Sequence, residues 1–524
     1  MRIFFCLFFI TYTSFSQQWF GLSTSNYAGT YNLAANPANI ADSRYKLFLN
    51  FGGGNIDVIN NYAGWAAPYS FFGLSTNSVP NRYRTSNGLV SFRPSYIDEA
   101  RDKPNSVAFL AADVKGPSLV YTFEKSKFAI GLTSRGRMLT NLSNTTSDLA
   151  HIMVKGTLIP DLYGKTQANN HLVMNLNGYT EMGLTLGAVI KEQDQDFFKV
   201  GLTVKRLSGL INIHYLVDNL DFTVDANSAN ALRQDVYFRN AIGTYGTTTS
   251  DAINSFSFRP NWLFGNLAAG KGYGFDIGAV YEFRPDFNKY EVKVKGKRLK
   301  DGTKNKYLYR IGVALIDVGS INYSNPTFAN VIQIAKTNVQ IKPGTFNKID
   351  SPDRLYYQMN NAFNIRQSDY QHGFVVALPM ALSSNFDYKI SEKIYINATW
   401  IQSLRNSKKM GMNQPSMLAI IPRYESKWLD FAVPISLQNG YRNLTFGLSV
   451  RVGSFFLGSE NLAGIVNIGN PKGISAYAGL FLPIFRKLPD TSNGCYTEEK
   501  ISLRQEIRDF LNKRSQRRGW NRIR

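Results

Sequence analysis

The chain has 524 residues, a formal net charge of +22 and 14% aromatic residues, with 29 Tyr and 36 Phe. Its mean hydropathy of -0.22 excludes a polytopic helical membrane protein, because such a protein needs many long apolar runs. Aromatic residues mixed with polar ones are expected where apolar side chains occupy alternate positions of strands. The composition therefore favours a β-rich chain.

The first residues, MRIFFCLFFITYTSFSQQWF, have the layout of a secretory signal peptide. One basic residue precedes an apolar run from Ile3 to Tyr12, which is too short to span a membrane, and hydroxyl-bearing residues follow it. We predict a signal peptide over residues 1–16. Its removal after Ser16 would leave Cys495 as the single thiol and so exclude an internal disulfide. No later run of about 18 apolar residues occurs, so a membrane location requires a closed sheet.

Strict alternation is the main pattern of the mature chain. The segments YTEMGLTLGAVI, YGFDIGAVYEFRP and NLTFGLSVRV alternate apolar residues with polar residues, charges or glycine. Charged side chains are costly against apolar neighbours, and lipid outside with a polar lumen inside satisfies both faces. Strand-like runs of about ten residues, long enough to cross a bilayer at a tilt, recur from Tyr45 to Phe485. We predict an all-β fold, a transmembrane antiparallel β-barrel of about 14 to 16 strands over residues 45–485.

The connections between these runs differ greatly in length. Residues 192–196 and 390–393 are tight turns, whereas residues 212–271 and 320–374 are long and polar. Outer-membrane barrels have short periplasmic turns and long outer loops, so these turns assign a side to each strand. The three glycines at 52–54 would weaken a plain strand and indicate a bend, a bulge or close approach of another backbone.

The pattern changes after Phe485. Residues 486–496 are typical of a linker, and residues 497–524 predict a basic amphipathic periplasmic helix with Thr497 as its N-cap.

Six segments in order resemble one family of proteins: NPANIADSRYKL, GPSLVYTF, KVGLTVKRLSGL, GYGFDIGAVYEFRPD, YLYRIGVALIDVGSINY and PRYESKWLDFAVPISL. They resemble a family of Bacteroidota outer-membrane barrels of unknown function, similar to the fatty-acid-transporter type that includes the shuttle barrel of type IX secretion. The resemblance covers nearly the whole mature chain. It implies that residues 17–44, with Asn36, Pro37 and Ala38, fold into the lumen as a hatch. It implies no catalytic or ligand-binding residues.

Signals for catalysis are weak. The four histidines have no metal-ligand spacing: His151, His171, His214 and His372. GNLAAGKG imitates a phosphate loop, but Gly272 stands where Ser or Thr should bind magnesium. We therefore predict no enzyme, no cofactor and no metal.

The positive charge is concentrated in two segments. Residues 289–310 carry nine Lys or Arg against two acids, and residues 486–524 carry eleven against five. The alternation of turns places both segments on the periplasmic side. A solvated basic rim explains them, and so does a contact for an acidic periplasmic protein or a cell-wall polymer; nucleic acid is a poor candidate in this compartment. The predicted contact residues are Lys293, Lys295, Lys297, Arg298, Lys300, Lys513, Arg514, Arg517 and Arg518.

Charged residues also fall at positions predicted to face the lumen: Arg206, Asp276, Glu282, Arg284, Arg310 and Arg451. They either pair with one another to rigidify a plugged barrel, which we favour, or line a substrate path.

Two functions remain open at this point. The first is a non-enzymatic outer-membrane barrel, its C-terminus in the periplasm, that binds a periplasmic partner within envelope, gliding or secretion machinery, the last by family resemblance. The second is an uptake barrel for a hydrophobic or small solute with the hatch as gate. The second predicts a cavity between hatch and wall and a lateral or axial opening; a lumen filled by paired side chains counts against it.

Overall fold

The structure is a computed structural model that describes residues 19–103, 105–123, 127–156, 160–225, 235–254, 268–294, 297–342, 345–346, 349–366 and 369–487. Some predictions concern residues outside the described ranges. These are the C-terminal helix, the tail residues Lys513, Arg514, Arg517 and Arg518, and Lys295 of the basic segment 289–310. For residues 291–294 and 297–300 the description is of the backbone.

Fourteen antiparallel strands form the wall of a closed barrel. The first seven are β1 Tyr45–Asn60, β2 Ser106–Lys115 with Ser118–Thr122, β3 Phe128–Thr145, β4 Thr166–Gln193, β5 Asp196–Val224, β6 Gly270–Phe283 and β7 Tyr309–Tyr323. The others are β8 Phe374–Ala377 with Ala381–Lys389, β9 Ile394–Ser403, β10 Met417–Glu425, β11 Leu429–Ala432 with Ile435–Gln438, β12 Asn443–Phe446 with Leu448–Val452, β13 Phe455–Ser459 and β14 Gly473–Phe485. Pairing of β1 with β14 closes the wall. The predicted all-β barrel is confirmed.

The remaining elements are short or lie beyond the wall. The α-helices are Phe20–Ser23, Phe71–Ser75, Ser147–Lys155, Ser250–Asn254, Pro352–Phe363 and Leu462–Val466. Strands Val236–Thr248 and Ala329–Ile341 pair with each other and extend the sheet from the outer part of β5. Smaller strand pairs are Ala63–Trp65 with Ile97–Glu99 and Glu291–Val294 with Lys297–Lys300.

No helix in the described parts of the chain is long and apolar enough to cross a membrane.

Connections of very different length separate the two ends of the barrel. At one end lie Tyr45, Phe485 and turns such as 194–195 and 453–454, and we call it the short-turn end. The longest connection there is residues 284–308. It contains the strand pair Glu291–Val294 and Lys297–Lys300, which we call the basic hairpin. The opposite, long-loop end carries connections such as 61–105. This asymmetry is the one that outer-membrane barrels show.

Along the wall strands, side chains alternate between an outer face that contacts lipid and an inner face that lines the lumen, as a membrane barrel requires. On β5 the inward Lys199 and Lys205 are buried, while the outward Leu202 is 44% exposed. Arg206 was expected to face the lumen, but it lies on the outer face and its guanidinium stacks 4.8 Å from the centre of the Tyr273 ring. The reason is the period of two: Lys205 occupies the inward position, so its neighbour must point outward.

The three glycines of β1 coincide with an irregularity and a close contact. The register between β1 and β14 shifts between Asn50 and Gly52. A Cβ atom added to Gly53 would lie 2.8 Å from the hydroxyl of Tyr31 and 3.1 Å from the ring of Trp19. The register shift agrees with the predicted irregularity, whereas the close contact from the hatch comes from side chains and not from the predicted second backbone.

Candidate functional site

A buried N-terminal segment, residues 19–44, packs against the inward faces of the wall strands, and we call it the hatch. It consists of helix Phe20–Ser23 and the 3₁₀ turns Gly29–Asn32 and Pro37–Ile40. Its aromatic side chains join those of the wall: the Trp19 ring stacks 5.7 Å from Tyr477, and Lys115 lies 4.5 Å above it. Burial of large rings and a cation–π contact hold this part of the hatch.

Asn36 ties the hatch to the wall through hydrogen bonds. Its Oδ1 accepts the N–H of Ala38 at 2.9 Å, which caps the turn that Pro37 begins. Its Nδ2 donates to the main-chain oxygens of Ala279 on β6 and Val313 on β7, at 3.1 and 3.3 Å. The side chain is fully buried, so each of these bonds replaces a solvent contact that is no longer available.

A row of three glycines on neighbouring wall strands contacts this turn, and we call it the glycine row. Gly187, Gly201 and Gly278 lie opposite one another on β4, β5 and β6. A Cβ atom on Gly201 would come within 2.4 Å of the Ala38 nitrogen, and one on Gly278 within 2.2 Å of Asn36 Oδ1. Only glycine leaves room for the hatch backbone at these positions.

Buried ion pairs fill the lumen beside the hatch. Arg135 and Arg137 on β3 face the carboxylates of Asp113, Glu181 and Asp317. Lys205 bridges Asp276 and Asp317, with Nζ–O distances of 2.7 and 2.6 Å. Removing one member would leave another buried charge uncompensated, so the set rigidifies this side of the lumen.

A second set of ion pairs joins β7, β8, β10, β11 and β12, and hatch residues hydrogen-bond to two carboxylates in the same region. Asn26 Nδ2 donates to Glu425 Oε2 at 2.9 Å, and Ser25 Oγ donates to Asp430 Oδ2 at 2.8 Å. Arg451 pairs with Asp430 at 2.6 Å. Arg310 and Arg423 both pair with Asp387, at 2.9 and 2.7 Å.

Asp42, near the end of the hatch, collects cations from four parts of the chain. Arg284, which follows β6, lies 2.8 Å from its carboxylate, and Arg44 lies 3.0 Å away. Arg486, which follows β14, lies 3.6 Å away, and Lys306 acts on it electrostatically from the end of the 284–308 connection. We call this group the Asp42 clasp.

The pKa values of two groups in the clasp, Asp42 and Lys306, are shifted, and both groups lie outside the membrane-spanning strands. Burial alone would raise the pKa of Asp42, but Arg44, Lys306, Arg284 and Arg486 hold it well below its usual range. Burial lowers the pKa of Lys306 to about 8, although Asp42 acts in the opposite direction.

The cavities between hatch and wall are small. One of about 60 Å³ lies between Trp19, Tyr31 and strands β7 to β9, and another of about 40 Å³ lies beside Leu33. Binding sites for drug-sized molecules are typically about 300–1,000 Å³. The axial path is therefore filled by the hatch and by paired side chains.

A larger opening lies in the wall near the long-loop end. β13 has five residues, so the outer part of β12, Asn443–Phe446, and the start of β14 are not joined by it. Helix Leu462–Val466 occupies part of the gap, held by the bond from Asn461 Nδ2 to the Gly473 oxygen at 3.0 Å. A cleft of about 770 Å³ remains, and we call it the wall cleft. Apolar side chains that line it include Leu444, Phe446 and Ile468.

The structure brings together most of the lumen charges named from the sequence. Asp276, Glu282, Arg284, Arg310 and Arg451 are all buried and ion-paired. Arg206 is the exception described above. In the basic hairpin, Lys293 lies opposite Arg298 and Glu291 opposite Lys300 in the backbone register, and Lys297 lies opposite Val294.

Sequence reasoning missed Asp42, Arg135, Arg137 and Lys205 as partners. It also missed the glycine row, although a signal was present: glycine recurs at polar-face positions within KVGLTV and FDIGAV.

Two of the histidines contact different polar partners. His151 Nδ1 lies 2.9 Å from Glu99 Oε1, and His214 is buried beside Asn212, with a 2.7 Å contact to its Oδ1. Within the described ranges no group of three or more His, Cys, Asp or Glu residues is arranged to hold a metal ion.

These features define a class of protein: a hatch-filled β-barrel of the outer-membrane type. The family model for a family of unknown function, DUF5723, matches residues 37–460, and the chain belongs to that family. A comparison with curated protein sequences finds no match.

Three solved structures share the barrel architecture at low identity. The Ralstonia pickettii toluene transporter TbuX is 10% identical over 88% of this chain and 94% of its own, with a TM-score of 0.35. A Pseudomonas aeruginosa FadL homologue is 12% identical over 90% and 97%, with a TM-score of 0.34. The Pseudomonas putida toluene transporter TodX is 10% identical over 90% and 98%, with a TM-score of 0.28. At these values the likeness implies nothing about a solute for this chain.

Proposed function

We propose that this protein is a non-enzymatic outer-membrane uptake barrel for a small hydrophobic or amphipathic solute, with the wall cleft as its opening and the hatch as its gate. The observation that carries this proposal is the wall cleft, whose volume of about 770 Å³ suits a small ligand. Its lining combines Leu444, Phe446 and Ile468 with polar groups such as Asn61 and Arg442. A cleft of this kind favours a solute that has an apolar body and a polar end.

The filled lumen counts against passage along the barrel axis, so the uptake proposal rests on the wall cleft and requires the hatch to move. Cavities of about 60 and 40 Å³ beside the hatch hold a few water molecules at most. An open axial channel is therefore disfavoured. A solute that enters by the wall cleft has to displace part of the hatch, and Trp19 and Phe20 lie at the end of the hatch that contacts β12 and β14.

A substitution that narrows the wall cleft tests this proposal. Leu444→Trp adds a large ring to its lining, and Leu418→Trp, on the outer face of β10, is the matched control because Leu418 is also exposed. Uptake of toluene and of oleate is measured in cells that produce each variant. Loss of uptake in Leu444→Trp alone supports the wall cleft as the path. Equal uptake in both variants and in cells without the protein contradicts the proposal.

A second function has an observation of its own in the Asp42 clasp. Two of the cations on Asp42, Arg284 and Lys306, flank the connection that carries the basic hairpin, and Arg486 begins the segment that leads to the basic tail. A periplasmic partner on Lys293, Lys297 or Lys300 would therefore bind next to the residues that hold the hatch. We infer an acidic protein or an anionic wall polymer as this partner, within envelope, gliding or secretion machinery, and a periplasmic C-terminus.

Deletion of residues 490–524 tests the second function. Cross-linking from Cys495 in intact cells, followed by purification, identifies what contacts the tail in the full chain. In purifications without cross-linker, we expect the partner identified in this way to be lost when the tail is deleted and retained in the control Lys408→Glu/Lys409→Glu, which changes exposed charges at the long-loop end. A partner that is retained without the tail contradicts this role.

A further inference from the structure

Two buried carboxyls of the barrel have no ion pair with any described residue: Asp57 on β1 and Glu460 directly after β13. Asp57 is 4% exposed and Glu460 is fully buried. The other buried acids of the wall strands all pair with Arg or Lys: Asp113, Glu181, Asp276, Glu282, Asp317, Asp387, Glu425 and Asp430. Asp57 and Glu460 therefore differ from the other buried acids of the wall strands, each of which has a cationic partner.

The two carboxyl-bearing residues lie at one place in the wall. Ser475 on β14 lies opposite Asp57 in the register, and its Oγ accepts the main-chain N–H of Glu460 at 3.3 Å. This place lies beside the wall cleft, because Asn461, which follows Glu460, and Gly473, two residues before Ser475, line the cleft.

Asn55 supplies a second, separate observation at this place. It is fully buried and precedes Asp57 by two residues, so both share the inward face of β1. Neither atom of its side-chain amide has a hydrogen-bond partner within the described parts of the chain. Buried amides and carboxylates without partners are costly, and ionisable groups at membrane depth mark binding sites by default.

We propose that Asp57, Glu460 and Asn55 form a binding site for an ammonium group. Two carboxylates supply the opposite charge, and the Asn55 oxygen supplies a third acceptor for a group with three N–H donors. The occupant comes either from the processed amino terminus or from a solute amine.

Cleavage at the predicted position would place the new amino terminus within reach of the site. Glu460 Oε1 accepts the N–H of Gly21 at 3.3 Å. If the signal peptide is removed after Ser16, the α-amino group of Gln17 is four residues from Gly21, and four residues span up to about 14 Å. The hatch would then be held at its first residue by the wall. This source does not depend on the proposed uptake function.

A solute amine has its own route to the site. A solute in the wall cleft lies next to Asn461, the neighbour of Glu460, so we place the ammonium group of an amphipathic solute at the two carboxyls and its apolar body against Leu444 and Phe446. This source rests on the proposed uptake function and names its substrate class as amphipathic amines.

Chemical labelling of the α-amino group tests the first source. The full-length protein, purified in detergent, is treated with limiting acetic anhydride, and acetylation of the N-terminal peptide is measured by mass spectrometry. We expect labelling to be at least about tenfold faster in Asp57→Asn/Glu460→Gln than in wild type, because a paired ammonium holds its proton more tightly. The matched control, Asp286→Asn/Glu392→Gln, removes two exposed acids and should label as wild type does.

Binding of octylammonium and of octanol tests the second source. If the α-amino group labels equally in all variants, or is blocked as pyroglutamate, octylammonium should bind wild type at least about tenfold more tightly than the double variant does. Octanol, the neutral analogue, should bind both alike. Should the double variant fail to fold, Asp57→Asn alone serves in both experiments.

The ammonium site is overturned when the α-amino group labels equally and octylammonium binds no better than octanol. Uptake of toluene or oleate tests the uptake function separately through Leu444→Trp. The two ideas therefore fail independently.

Discussion

The guanidinium of Arg284 lies 2.8 Å from the carboxylate of Asp42, which joins the end of the hatch to the residue that follows β6. Arg44, Lys306 and Arg486 reach the same carboxylate from three other segments. One buried acid thus connects the hatch, the basic connection and the exit toward the tail. The stability of the docked hatch should depend on the ionisation of this group.

We predict that the docked hatch loosens in acid. The pKa of Asp42 is lower in the folded protein than in an unfolded chain, so its ionised form contributes stability above about pH 4. This contribution is lost as the pH falls through the folded pKa. Protease protection of residues 19–44, measured from pH 7 to pH 3, should fall in wild type. Asp42→Asn should show weaker protection at pH 7 and a smaller change with pH; an unchanged profile contradicts the role of the clasp.

The titration of Lys306 should change the free energy of unfolding at alkaline pH. Burial lowers its pKa to about 8 in the folded protein, against about 10.4 in an unfolded chain. The unfolded chain binds more protons between these values, so the free energy of unfolding should rise as the pH increases from about 8 to about 10. Lys306→Met removes the titrating group and should flatten that rise. Denaturant unfolding at pH 8, 9 and 10 measures both proteins, and identical slopes refute the assignment.

The glycine row should be intolerant of any side chain. Gly201→Val places a Cβ atom where the Ala38 nitrogen lies at 2.4 Å, which neither backbone can avoid. We expect a loss of about 1–3 kcal/mol in the free energy of unfolding, or release of the hatch. Gly136→Val is the control, because a Cβ atom there meets nothing within 4 Å. Equal melting temperatures for the two variants would show that the hatch does not rest on this row.

Asn36 should contribute more than a typical polar residue. Asn36→Ala removes the cap of the turn and leaves the Ala279 and Val313 oxygens without their donor. We expect a cost of about 1–3 kcal/mol in the free energy of unfolding. Asn39→Ala is the comparison, since Asn39 bonds only within the hatch, to the Asn32 oxygen at 3.5 Å. A comparable loss in both variants would deny Asn36 its anchoring role.

The period of the sequence explains how far the barrel could be predicted. Alternation in segments such as NLTFGLSVRV repeats with a period of two, and each wall strand obeys it independently of its partners. The inward prediction for Arg206 departs from this parity, because Leu202 and Val204 share the parity of Arg206 and so assign the inward position to Lys205. The structure places Lys205 inside.

The site depends on relations that no local pattern contains. The four cations of the Asp42 clasp are separated in sequence by up to hundreds of residues, and barrel closure alone brings them together. The wall cleft follows from the length of β13, which ends at Ser459 where a longer strand would have closed the gap. Asp57 is unusual because it has no ion-pair partner among the described residues, and the sequence alone does not show which residues lie next to it.

The ion conductance of the purified protein in planar bilayers tests the central claim, which is that the docked hatch closes the lumen. Wild type is compared with Gly187→Val/Gly201→Val, in which two Cβ atoms displace the turn at Asn36 to Ile40. We predict a closed barrel for wild type and large, sustained conductance for the double variant. Equal conductance in the two proteins would contradict the account.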